Sequence, residues 1–116
     1  MPRKRAKIVD RDERREEVLR PSPYLGYDRD TLGVYLMSRQ AYRIAESQFR
    51  RACWLNPFEP GFRAHLAWCL YKQERGEEAA ECLRDLELGQ LPEDLQRVLA
   101  GIKRRAAEKG VAETEG

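Results

Sequence analysis

LGVYLMSRQAYRIAESQFRRACWLNP, residues 32–57, reads as two short helices folded back on each other around a row of small residues. Thirty-four positions further on, Leu32, Gly33, Leu36, Ala45, Phe49 and Ala52 are answered by Leu66, Ala67, Leu70, Ala79, Leu83 and Leu86. Each pair keeps its size and apolar character, or nearly so. A fixed period of this length marks a stack of repeated units, in which each helical hairpin buries its apolar face on the next.

Working outward, the apolar positions Leu32, Tyr35 and Leu36 recur at helical spacing, and Asp28 or Asp30 is placed to cap a first helix that ends near Ser38. A second helix is expected from about residue 42 to 55, with Ile44, Ala45, Phe49, Ala52 and Cys53 inward and Asn56-Pro57 as its stop. Pro60 and Gly61 read as a turn. A third helix follows over residues 62–73 and a fourth over 77–88, with Gly89 as its C-terminal cap. Pro92, Glu93 and Asp94 open a fifth, where a fixed φ and the helix dipole favour them. Shifted by the same period, Ala100-Gly101 falls under Leu66-Ala67, so this helix reads as half a third unit that caps the stack. Residues 110–116 read as a frayed tail.

Residues 1–23 differ in kind. They hold eight Arg or Lys against five Asp or Glu, whereas the rest of the chain holds fourteen against fifteen. From Asp10 to Arg20 only Val18 and Leu19 are apolar, which leaves no face to pack, and Pro21 and Pro23 end any helix there. This is expected to be a charged arm. A chain of 116 residues with a net charge of +2 makes one domain at most, residues 24–109, and such a charge does not by itself announce a nucleic-acid or membrane protein. The longest apolar run, residues 64–71 around His65, is too short to span a bilayer, and a cytoplasmic setting is expected. Cys53, Cys69 and Cys82 are odd in number and form no C-x-x-C, so they indicate neither a disulfide framework nor a zinc site.

The repeated residues resemble the tetratricopeptide repeat, whose pattern W-x2-L-G-x2-Y…A-x3-F…P has a period of 34 residues. Leu32-Gly33, Leu36, Ala45-x3-Phe49 and Pro57 follow the pattern in a first unit, residues 26–59. Leu66-Ala67, Leu70, Ala79-x3-Leu83 and a Pro92 displaced by one follow it in a second, residues 60–93. Arg29 and Arg63 stand where the Trp would be. The resemblance implies an all-α, right-handed superhelix of antiparallel helix pairs, with a capping helix over residues 92–109. It also implies a concave face, lined by the first helix of each pair, that receives a peptide or helix of another protein as an adaptor, scaffold or chaperone-like binder.

On that implied face stand Tyr27, Asp30, Thr31, Val34 and Met37, then Ala64, His65, Trp68, Tyr71 and Lys72. Exposed aromatics and Met suit a binding surface; equally, Trp68 and Tyr71 would serve to cover the last helix, whose Leu95, Val98, Leu99 and Ile102 need a partner. Family members that clamp a carboxylate terminus use Lys and Asn, and Asp30, Val34, Ala64 and Trp68 occupy those places here, so that clamp is absent. His65, the only histidine, has no nucleophile and orienting carboxylate at known spacing, and no phosphate loop or metal constellation is present, so neither an enzyme nor a cofactor is expected. The second reading is a nucleic-acid or ribonucleoprotein-associated protein that contacts phosphates through Arg3, Lys4, Arg5 and Lys7. Self-association through Tyr24, Leu25 and Tyr35 is a third.

Overall fold

A computed structural model describes residues 20–115. Among these residues there are five helices and no strand: α1 (Tyr27–Ser38), α2 (Tyr42–Leu55), α3 (Pro60–Lys72), α4 (Gly76–Cys82) and α5 (Glu93–Glu115). The protein is all-α, and each helix packs on the next in chain order, an arrangement compatible with an all-α solenoid. Most of the arm expected over residues 1–23 lies outside the described residues. Within its last four, the Ser22 N–H donates to the Leu55 carbonyl at 3.1 Å.

The period of the sequence recurs in the contacts. Between α1 and α2, Gln40 takes a left-handed φ of 63°, with its N–H on Met37 O at 2.9 Å and the Ala41 N–H on Leu36 O at 2.9 Å. Between α3 and α4, Glu74 takes φ 62°, with its N–H on Tyr71 O at 3.0 Å and the Arg75 N–H on Leu70 O at 3.0 Å. These are one turn, made twice, thirty-four residues apart. The two arginines at the Trp positions also act alike: Arg29 donates across its hairpin to Gln48 Oε1 (3.1 Å), and Arg63 donates across its own to Cys82 O (3.1 Å).

Close approach within the first hairpin requires Gly33, because a Cβ there would stand 2.5 Å from Cε1 of the Phe49 ring. Phe49 is fully buried, as are Phe62, Leu70, Leu83 and Leu99. Each such side chain contributes roughly 1.5–3 kcal/mol relative to exposure. α2 buries a stripe, Ala45, Phe49, Ala52 and Leu55, at spacings of four and three, and leaves its other side to solvent. α3 buries Phe62, Ala64, Leu66, Ala67, Cys69 and Leu70 and is covered nearly all round, because α1, α2, α4 and α5 all touch it.

α1, α3 and α5 lie side by side and run in the same direction. Tyr27 meets Phe62 with ring centroids 5.0 Å apart, Asp30 meets His65 at 2.8 Å, and Tyr71 meets Arg105. Every one of these pairs is separated by about one repeat.

Several boundaries differ from the sequence reading. α1 is capped by Gly26, at φ 89°, and neither Asp28 nor Asp30 makes a side-chain cap. Pro60 and Gly61 are the first residues of α3, and Glu59 caps it with its carboxylate on the Gly61 N–H at 3.2 Å. Ile44, expected inward, is 58% exposed, since the buried stripe of α2 runs through Ala45 instead. α4 ends at Cys82, six residues short of the expected Leu88, so Gly89 caps nothing. Asp85 turns left-handed (φ 60°), a conformation that Asp tolerates better than most residues. Arg63 accounts for the carbonyls this break frees, donating to Cys82 O at 3.1 Å and to Arg84 O at 2.7 Å. The break also brings Leu83, Leu86, Leu88 and Leu91 all to the core. In a continued helix Leu88 would point about 140° away from Leu83. α5, at the other end, runs through the expected tail to Glu115.

Candidate partner-binding surfaces

The aligned helices α1 and α3 carry most of the residues that the sequence assigns to a groove. Tyr27 is exposed, its hydroxyl donating to Glu59 Oε2 at 3.0 Å while its ring stands edge-on to Phe62. That hydrogen bond to a carboxylate, with burial second, pushes the phenol above its ordinary value. One turn on, Asp30 Oδ1 and His65 Nδ1 lie 2.8 Å apart, both largely shielded, and the His65 ring leans on Phe49 at a centroid distance of 5.6 Å. Val34 is exposed beyond them, and Lys72 is exposed at the far end.

Two assignments fail on burial. Met37, at 9% exposure, belongs to the core, because α1 rotates it toward the second hairpin. Ala64 is completely buried beneath the face and lines nothing. Trp68 and Tyr71 are intermediate: both pack against the core, and Tyr71 is covered by Arg105 of α5, which donates to its hydroxyl and holds its guanidinium 5.6 Å from the ring centre. The face that remains is a shielded Asp30–His65 pair framed by Tyr27, Val34, Trp68 and Lys72. Arg3, Lys4, Arg5 and Lys7 lie outside the described residues.

A second surface, on the solvent side of α2, was not singled out from the sequence. Its stripe Arg43, Ser47, Arg50, Trp54 follows spacings of four, three and four, which a helical reading of the polar side would have revealed. Two open clefts share Ser47 and Arg50. One, of about 610 Å³, is lined also by Arg29, Gln48, Arg51 and Trp54; the other, of about 650 Å³, by Arg43, Glu46, Gln73 and Arg75. Glu46 is their one acid, and its oxygens are engaged by Arg50 Nε (2.9 Å), Arg75 Nη1 (2.6 Å) and Gln73 Nε2 (3.0 Å). Burial raises its pKa, but those three donors together outweigh burial and hold the carboxyl below its usual value.

Burial pushes the Cys53 and Cys69 thiols up to about 11 and raises Cys82 as well, so all three stay protonated near neutrality. No helix among the described residues is long and apolar enough to cross a membrane. No family model, no curated protein and no solved structure matches this chain.

Proposed function

We propose that the chain is a non-enzymatic protein–protein interaction module of the tetratricopeptide-repeat kind, an adaptor or scaffold that receives a peptide or helix of another protein on its α1/α3 face. The observation that carries this reading is the doubled hairpin, with the same turn at Gln40 and Glu74 and an arginine reaching across each hairpin, Arg29 to the Gln48 side chain and Arg63 to the Cys82 carbonyl. Stacked units of this kind leave the first helices of successive hairpins aligned, and here that alignment exposes Tyr27, Val34 and Lys72 around the Asp30–His65 pair. Free thiols at Cys53, Cys69 and Cys82 support work in a reducing compartment, the cytoplasm.

The test exchanges exposed side chains and leaves the core alone. Val34→Arg combined with Lys72→Glu, compared with the wild-type chain as bait in a cell extract, is expected to lose specific partners while circular dichroism shows unchanged helicity. An identical set of captured proteins from both baits overturns the assignment of this face.

A further inference from the structure

We infer that the solvent side of α2 is a binding surface for single-stranded nucleic acid, with arginines holding phosphates and exposed aromatics stacking on bases. The surface is separate from the α1/α3 face, and the inference does not depend on the function proposed for it.

Charge comes first. Between residues 31 and 58 the chain places four arginines, Arg39, Arg43, Arg50 and Arg51, against a single acid, Glu46. Glu46 is ion-paired with Arg50 and Arg75, which offsets part of the Arg50 charge, and the four arginines still outnumber the one acid. Arg43 and Arg50 sit on either side of Ser47 along the two adjoining clefts, and about half of the Arg50 side chain is open to water. All the cations are guanidinium groups, whose planar forks fit phosphate oxygens two at a time, which an ammonium does not.

The aromatic residues decide between kinds of polyanion. Trp54 closes the first cleft, is 46% exposed, and carries the Arg51 guanidinium 5.5 Å from its ring centre. Just past the helix end Phe58 is 65% exposed and Tyr24 87% exposed. Asn56 ties the two segments together: its Oδ1 accepts the Phe58 N–H (3.2 Å), and its Nδ2 donates to the carbonyl of Leu25, next to Tyr24 (3.1 Å). An acidic peptide has use for the arginines but less for the half-exposed indole of Trp54 that lines the first cleft with them. A duplex keeps its bases stacked inside. A single strand offers both phosphates and unstacked bases, the combination that a basic track with aromatic platforms takes up.

The experiment measures anisotropy of a fluorescein-labelled oligouridine with the full chain across a salt series. Contact with roughly three phosphates gives a slope of log affinity against log salt of about −2, and Arg43→Gln with Arg50→Gln is expected to flatten it by about 1.4. Trp54→Ala is expected to weaken binding by roughly 5-fold to 150-fold, the loss of one stacked base. Neutralising Arg3, Lys4, Arg5 and Lys7 to Gln instead is expected to leave the Trp54→Ala effect in place. Three results overturn the inference: no binding by the wild-type chain, loss of all binding in the arm variant with no effect of the α2 variants, or displacement of oligouridine by polyglutamate as readily as by unlabelled oligouridine. Circular dichroism on each variant, together with Arg43→Lys/Arg50→Lys as a charge-preserving control, separates lost contacts from lost folding.

Discussion

Two residues show how little slack the first hairpin has. Gly33 lies against the Phe49 ring, and that ring is fully buried, so the clash made by a new Cβ has nowhere to go. Gly33→Ala is therefore expected to cost about 1–3 kcal/mol, read from the urea midpoint. Asn56 is the buried polar residue of the described chain: its side-chain amide donates to Leu25 O and its oxygen accepts the Phe58 N–H. Asn56→Ala leaves both of those backbone groups unsatisfied, a loss of about 1–3 kcal/mol by the same measurement. Glu46 responds to pH in a defined direction. Its folded pKa is depressed, so its contribution is present above the unfolded pKa, roughly 4.3, and disappears as pH falls through the lower folded value. Glu46→Gln is expected to be about 1 kcal/mol less stable than wild type at neutral pH, a modest figure because solvent screens the network. The difference should close at pH values well below the carboxylate range.

Among the elements, the helices themselves were legible from period and stop signals, and α2 falls where Tyr42 and Asn56 place it. What escaped the sequence depended on distant partners. The end of α4 is fixed by Arg63, some twenty residues earlier, whose guanidinium satisfies two carbonyls, and no local signal around Leu83 announces this. Arg63→Ala is expected to cost about 1–2 kcal/mol and to speed amide exchange in residues 80–86 ahead of the rest of the domain. Met37 was misplaced for a related reason. Periodicity assigns a residue to a stripe, but which neighbour meets that stripe depends on how the second hairpin is rotated against α1. The α2 surface is the reverse case, since its stripe Arg43, Ser47, Arg50, Trp54 is written locally in the polar side of the helix.

Across the whole molecule charge is sorted. Residues 74–94 hold eight acids against two arginines, opposite in sign to the α2 stretch. Tyr24 and Tyr35 are exposed as well, so association between copies has both charge and aromatic surface to draw on. Sedimentation at low and high salt checks this; a salt-sensitive dimer that Tyr35→Glu abolishes is the expected sign of it. The central position of α3 has a further consequence. Although the chain is written as repeats, both hairpins lean on the same buried helix, and neither keeps its apolar side covered without it. Unfolding should therefore be a single cooperative event: the most protected amides of α2 and α5 should open with the same free energy, and a chain cut in the loop after α4 should lose both halves together.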